Sequence, residues 1–549
     1  MRRYLKIHAS DNVWVALRNL AAGERIDTTE GMITLPLAVN TKHKFAEKHL
    51  AVGEEIRMYG VIVGKATKNI QAGEPITVFN VQHAVTPAVL RELNLTWTPP
   101  DVTPYRERTF QGYHRSDGKV GVANYWLVIP LVFCENRNIN MIREALVEQL
   151  GYHKPRAYTL NVSHLIDRYR AGASAEVLLE EDILVEHASN DRQRLFENVD
   201  GIKFLTHEGG CGGTRQDSDA LCALLAGYLN NANVAGATVL SLGCQNAQVR
   251  ILEEAIERIN PRFDKPLYVL SQQESKSEPS FVADAVRKTF AGLVHANRQK
   301  RATAPISKLI VGLECGGSDG FSGISANPVV GHLSDMLVAL GGAPVLAEFP
   351  ELNGVEQHLV DRSVSLSIAE KFLRLMKTYA ERAKQVGSGF DMNPSPGNIK
   401  DGLITDAMKS AGAAKRGGTS PVTAVLDYTE QVTKAGLHLL CTPGNDVEST
   451  TALAASGCTL LLFTTGLGTP TGNPIAPTIK VSSNTPLFDR MRDIIDVNAG
   501  TVITGEDTLE SKANELMEFV LRVASGEVVP QAVRLQQEDF IPWKRGVSL

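Results

Sequence analysis

Beyond about residue 105 the chain repeats one texture: a short apolar, β-rich run that ends in a polar, glycine-rich loop. Ile202 to Leu205 leads into Thr206–Gly213, and Ala237 to Leu242 into Gly243–Asn246. Leu309 to Leu313 precedes Glu314-Cys315-Gly316-Gly317-Ser318-Asp319-Gly320, and Pro344 to Ala347 precedes Glu348-Phe349-Pro350-Glu351. Leu437 to Cys441 and Leu460 to Phe463 run into Thr442–Asp446 and Thr464–Pro470. Between them lie stretches with helical periodicity. Ala247 to Ile259 places Val249, Ile251, Leu252, Ala255 and Ile256 largely on one face, and Val355 to Val386 reads as a long charged helix with one break. Continuous apolar strands alternating with amphipathic helices predict parallel sheets covered on both faces, with ligands bound at the carboxyl ends of the strands.

The first 95 or so residues differ. Gly-Glu recurs after a small apolar stretch and before isoleucine, at Gly23-Glu24, Gly53-Glu54 and Gly73-Glu74. Glycine supplies a turn that β-branched neighbours cannot make, so each copy predicts strand, tight turn, strand. Thr96 to Pro104 contains three prolines and reads as a linker, and the basic stretch Asn297 to Pro305 as a second boundary. The expected organisation is a small, mostly β module over 1–95, an α/β domain over 105–296 and a Rossmann-like α/β domain over 306–549.

Composition narrows the class. With 549 residues, 43% hydrophobic and 21% charged, the chain carries enough apolar sequence for large cores without disulfide staples. A net charge of −5 argues against nucleic acid as the main partner. No apolar run is long enough to span a bilayer, and the N-terminal residues lack the apolar core of a signal peptide. Seven cysteines, an odd number, fit reduced thiols, and the cytoplasm is the expected compartment. The expected partners are a small-molecule substrate and further copies of the chain, as a homodimer or higher homo-oligomer.

The chemistry concentrates in the strand-end loops. Cys211, Cys244 and Cys315 each stand beside glycines and polar residues, unlike Cys458 inside an apolar run. One such cysteine is as well explained by a tight turn; three in the same context point to an ion site. Thiolates suit iron or zinc, whether as an iron–sulfur cluster with one open iron or as the wall of a pocket beside a mononuclear ion. Glu348 and Glu351, in a tight Pro-containing turn, are candidate ion or hydroxyl ligands. Asn393-Pro394-Ser395-Pro396-Gly397-Asn398 is either a plain loop or a preorganised hydroxyl-binding wall. Arg115, with Asp117 and Asn124, suits a substrate carboxylate, its alternative being a hairpin with an exposed charge. His43-Lys44 in the β module offers acid–base function or, equally, a solvated pair. Gly466-Leu467-Gly468 is no dinucleotide loop, because Pro470 and Pro474 interrupt the helix that should open there.

Taken together these motifs resemble the altronate/galactarate dehydratase family, sugar-acid hydro-lyases whose N-terminal module is a SAF (β-clip-like) domain. The resemblance runs over essentially the whole chain and is most specific from Cys315 to Pro328. The chain departs from the family at Ile76–Asn80, where members often carry a His-rich strand; here His83 lies just beyond. The resemblance implies dehydration of a polyhydroxy aldonate, such as D-altronate, to a 2-keto-3-deoxy acid, assisted by Fe2+, with Mn2+ or a cluster as alternatives. On this reading the metal lies near Cys211, Cys244 and Cys315, with His207 beside it. Arg115, Asp117, Asn124, Ser318, Glu348, Asn393 and Asn398 bind substrate, and His43, Lys44, His207 and Asp319 supply catalysis. A galactarate or sulfonated hydroxy-acid lyase on the same scaffold, or a non-catalytic sugar-acid binder, are the alternatives.

Overall fold

The computed structural model describes residues 3–93, 95–153, 158–186 and 193–546. The N-terminal module is built from short antiparallel pairings. Val13–Ala16 (β1) pairs with Lys44–Ala46 (β2), and Glu55–Met58 (β3) with Val61–Ala66 (β4). The Gly-Glu repeats make the predicted turns. Gly23, Gly53 and Gly73 have φ of 79°, 85° and 81°, the left-handed region that glycine enters at no steric cost. Each following glutamate closes its own turn, accepting the amide three residues back: Ala21 into Glu24 at 3.0 Å, Ala51 into Glu54 at 3.0 Å, Gln71 into Glu74 at 2.9 Å. That recurring local bond is why the dipeptide repeats.

The middle region holds a parallel sheet of Tyr125–Pro130 (β5), Gly201–Phe204 (β6), Val234–Ser241 (β7) and Leu267–Ser271 (β8), in the order β6-β5-β7-β8. Helices Arg215–Asn230 (α1), Val249–Ile259 (α2) and Glu278–Ala296 (α3) accompany it.

The C-terminal region carries a seven-stranded, all-parallel sheet. Its strands are Ile310–Cys315 (β9), Ala343–Leu346 (β10), Val422–Leu426 (β11), Leu437–Leu440 (β12), Leu460–Thr465 (β13), Thr478–Ser482 (β14) and Val497–Asn498 (β15). Their order is β11-β12-β10-β9-β13-β14-β15. The chain leaves β9 first to one side and then, at β13, to the other. The carboxyl end of β9, where Cys315 stands, is therefore a topological switch point, the usual ligand crevice of such sheets.

Helices Ala326–Ala339 (α4), Glu356–Asp361 (α5), Leu366–Gln385 (α6), Asp406–Ala413 (α7), Asp446–Ala455 (α8) and Leu509–Ala524 (α9) complete it. The break expected in the long helix falls between α5 and α6, where the Ser365 side chain caps α6 by accepting from Ile368. The mixed α/β class with a small β module and parallel sheets is as expected. Strands β5, β8, β11, β14 and β15 fall outside the anticipated set; β14 carries Lys480, whose buried Nζ donates to Thr469 O at 2.7 Å.

One apolar core joins the first and last regions. Ile56, Val63 and Tyr59 of the module belong to the same buried cluster as Leu313, Phe321 and Phe349. The stretch Asn297–Pro305 is pinned rather than loose. Ala302–Pro305 pairs antiparallel with Thr109–His114, and Arg301 donates to the carbonyls of Gln111, Ala524 and Val122. No helix among the described residues is long and apolar enough to cross a membrane.

Candidate functional site

The ends of β9, β10 and β12 and the start of α8 enclose a buried polar cluster. Glu314 and Cys315 end β9. Glu348 follows β10 with φ +68°, a left-handed backbone rare outside glycine, and Pro350 then winds Phe349–Leu352 into a tight turn that brings Glu351 back beside it. Thr442, after β12, holds this turn: its Oγ1 accepts from Glu348 N at 2.9 Å and its carbonyl from Phe349 N at 3.2 Å. Cys315 Sγ lies 3.0 Å from Glu351 Oε2 and 3.8 Å from Glu348 Oε2, and Ser318 Oγ donates to it at 3.3 Å. Asp446, at the first turn of α8, completes the acidic side.

Two cations answer these acids. Arg416, fully buried, reaches Glu348 at 3.0 Å and Glu351 at 3.4 Å, and Lys409 of α7 reaches Glu351 at 2.8 Å. Four carboxyls and a thiol therefore share two full cations, and protonation has to make up the balance. Burial, then the charge of Glu351, pushes Glu348 up to about 8 despite Arg416. Burial and Glu348 push Glu314 well up, and burial lifts Asp446 to about 6. For Glu351 burial works in the same direction, but Lys409 and Arg416 outweigh it and hold the group below the usual carboxylate range. Burial also pushes the Cys315 thiol well up, more than Arg416 offsets.

Oxygen atoms of Glu314 and Glu348 remain uncommitted: Oε1 of each is buried with no N–H or O–H donor. The two carboxyls lean on one another, so a shared proton or a cation is what their position accommodates. Ligand atoms of Cys315, Glu348 and Glu351 lie within 4.8 Å of one another, as do those of Glu314, Glu348 and Asp446. Two or three carboxylates with one thiol suit a borderline divalent ion such as ferrous iron or manganese. The cysteines expected beside Cys315 do not join these groups. Cys211 and Cys244 are exposed, on loops of the middle sheet, and the ligand-ready sets around Cys315 are completed by carboxylates. The order of strands placed those thiols on another sheet.

The N-terminal module docks onto this site through the loop before β2. Lys42, at φ +74°, puts Nζ 3.0 Å from Asp319 and 3.3 Å from Asp401. His43 Nε2 meets the Lys400 carbonyl at 3.0 Å, and Lys44 Nζ donates to Gly402 O at 2.6 Å. Because a carbonyl only accepts, Nε2 of His43 carries the proton and Nδ1 is the basic atom. Burial draws Lys44 down to about 7, although Asp319 opposes it. Gly320 and Gly402 allow the close approach: a Cβ at either would meet Lys42 O at 2.6 and 2.4 Å. Asn398 donates to Ser318 O at 2.8 Å, and Asn393 Oδ1 accepts from Lys409, so the Asn393–Asn398 loop packs against the cluster's neighbours.

The other residues expected at the site have the following partners. Asp319 has no oxygen to spare. Oδ1 accepts from Phe321 N, Ser322 N, Ser322 Oγ and Ser483 Oγ, and Oδ2 from Asn484 and Lys42, so it receives the module rather than a proton. Arg115 is buried in the middle region, its Nε on Ala232 O at 2.7 Å and Nη2 on Asn124 Oδ1 at 3.0 Å. The hairpin alternative describes its backbone, but the charge is inside and closes a turn. Asn124 donates to Asn198 O and Ala296 O, and Asp117 pairs with Lys119. His207 has both nitrogens on backbone: Nε2–H donates to Pro130 O at 2.8 Å and Nδ1 accepts from Gly209 N at 3.1 Å. His83, offered in place of the His-rich strand, has Nδ1 3.4 Å from Ala407 N, at the start of α7.

Lys42, Glu314, Lys409, Arg416 and Asp446 were not singled out from the sequence as site residues. The signal for two of them was present: Lys409 and Arg416, with Lys415, are the charged residues bracketing the small stretch Ser410–Ala414.

The chain matches three family models in succession. The altronate/galactarate dehydratase SAF domain matches residues 2–84, the D-galactarate dehydratase/altronate hydrolase second domain residues 112–297, and the D-galactarate/altronate dehydratase C-terminal domain residues 306–548. It is 34% identical over 557 residues to altronate dehydratase of Bacillus subtilis (strain 168), with all of both chains covered. This chain belongs to the altronate/galactarate dehydratase family. It is 31% identical to altronate dehydratase of Escherichia coli (strain K12), again over 100% of both chains. To galactarate dehydratase (L-threo-forming) of the same organism it is 31% identical, over 95% of this chain and 93% of the relative. The molecule is thus an enzyme, a sugar-acid dehydratase of the carbon–oxygen lyase class, and the buried cluster at the end of β9 lies in its C-terminal family domain.

Proposed function

We propose that this enzyme dehydrates a polyhydroxy aldonate, D-altronate first, to 2-keto-3-deoxy-D-gluconate, with a divalent iron ion held among Cys315, Glu348 and Glu351. Manganese suits the same donors. The observation that carries this reading is the pair of buried, donorless oxygens on Glu314 and Glu348 beside Cys315. Full-length relatives named altronate dehydratase support the substrate.

Held by Cys315, Glu348 and Glu351, a divalent ion would supply Lewis acidity to the substrate carboxylate. The chain's own groups do the rest. Lys44, near 7, and Nδ1 of His43 are the acceptors for the C2 proton, presented by the docked module. The proton taken from C2 by His43 or Lys44 is then handed to the C3 hydroxyl, which departs as water. Lys409 and Arg416, in place of Arg115, balance the negative charge that builds up on the substrate carboxylate. The resulting enol becomes the 2-oxo acid by proton transfer to C3.

The test is anaerobic turnover of D-altronate and galactarate, with and without ferrous iron, read as keto-acid formation. Iron-dependent product from altronate is expected. Turnover of galactarate alone would move the substrate. Full activity in metal-free enzyme would remove the ion from the proposal.

A further inference from the structure

A second cavity lies at the seam between the N-terminal module and the C-terminal domain, with a volume of about 230 Å³. Tyr59, Val61 and Leu359 give it an apolar wall, and His358, Arg362 and Lys415 line its other side. Lys415 is the neighbour of Arg416 in sequence, yet Arg416 serves the carboxylate cluster and Lys415 lines this cavity.

The cations here are not neutralised. Among the described residues Lys415 makes no hydrogen bond or ion pair; its ammonium stands over the Tyr59 ring, 6.0 Å from the centroid. Arg362 donates to the carbonyls of Gly417 and Gly418, but Nε is buried without an acceptor and no carboxylate pairs with the group. The carboxylates that oppose them are occupied. Asp335 accepts from Thr419 N, Thr419 Oγ1 and Ser420 N at 2.8–2.9 Å, and Asp11 from the amides of His8, Tyr59 and Gly60 at 2.9–3.1 Å. Burial and then Arg362 draw Lys415 down, and burial followed by Lys415 and Arg362 draws His358 down, as expected where positive groups face one another.

Poorly compensated cations around a cavity favour an anion. The other wall says which kind. The cationic side offers hydrogen-bond donors, whereas a hydroxylated chain laid against Val61 and Leu359 would give up water without replacement bonds. A short 2-oxo acid presents acceptors only, and a small apolar body for the wall. We propose that this cavity binds a short 2-oxo acid, as a site separate from the carboxylate cluster and selective against hydroxyl-rich acids.

The test is calorimetric titration of the full-length protein with pyruvate and, separately, inorganic phosphate. Saturable pyruvate binding is expected, weakened about tenfold by Lys415→Met through loss of one charge-assisted contact and unchanged by Cys315→Ser. Arg362→Met should weaken it further; the exposed Lys415 keeps the test valid if that variant does not fold. Absence of saturable pyruvate binding would overturn the proposal. So would binding that Lys415→Met leaves intact and Cys315→Ser abolishes, which would place the acid at the cluster. Phosphate binding without pyruvate binding would overturn the choice of ligand.

Discussion

The middle and C-terminal sheets share a plan and differ in what their loops do. In each, the first strand lies inside the sheet, neighbours are added first on one side and then on the other, and polar, cysteine-bearing loops follow the strands. In the middle sheet those loops satisfy themselves: His207 has both nitrogens on backbone, and Cys211 and Cys244 face solvent. In the C-terminal sheet Cys315 is buried among four carboxyls and two full cations, with two oxygens left over. A similar loop composition therefore yields self-satisfied loops in one place and a buried cluster of charges in the other. The deciding quantity is buried charge that the protein alone does not balance.

Removing a cation from the reactive side should have the largest effect. Arg416→Met leaves the buried Glu351 charge with Lys409 alone and should cost about 3–5 kcal/mol, measured by denaturant unfolding, with turnover lost. A variant as stable as the parent would mean that the two sheets do not differ as described.

Next comes a paired comparison. Glu348→Gln should lower turnover by more than roughly 10²-fold through loss of a ligand of the ion, with little loss of stability in the metal-free enzyme, where a neutral amide replaces a group already mostly neutral. His207→Gln should cost roughly 1–3 kcal/mol and leave turnover per folded molecule nearly unchanged. The opposite result for the pair would exchange the roles of the sheets.

The same two residues predict pH slopes of opposite sign. Glu348 has a folded pKa raised from 4.5 to about 8, so it binds more protons folded than unfolded in that window; the metal-free enzyme loses stability as pH rises through it. His207 is held below 6.5 by burial, so its contribution is present above 6.5 and is lost as pH falls below it. Unfolding midpoints of each variant against pH should flatten one slope and spare the other. An unchanged profile in Glu348→Gln would show that its carboxyl is not the buried acid.

The smallest effect concerns thiols. In metal-free enzyme an aromatic disulfide reagent should react quickly with the three exposed cysteines, Cys134, Cys211 and Cys244, and with the four buried ones only on unfolding. Cys211→Ala and Cys244→Ala should each change stability by less than about 0.5 kcal/mol. If loaded iron protected Cys211 or Cys244, those loops would have to close onto the metal, and the comparison would narrow.

Much of the fold was legible because its causes are local. The Gly-Glu turns, the alternation of apolar strands and amphipathic helices, the break before α6 and the polar strand-end loops all rest on contacts within a few residues. Glu348, Glu351, Ser318 and Cys315 were readable for the same reason, since each sits at or just after the end of a parallel strand, whereas Asn393 and Asn398 lie in a Pro-rich stretch between α6 and α7. Which loops meet was not readable. Strand order separated Cys211 and Cys244 from Cys315 and put Glu314, Asp446, Lys409 and Arg416 around it. Arg115 and Asp319 show the limit from the other side, since a charged residue in a polar loop looks functional until its partners are known. Sequence by itself determined the family, the layers and the strand ends that hold the chemistry. Only the tertiary structure decided which charges are buried together, because that follows from sheet order and domain docking over hundreds of residues.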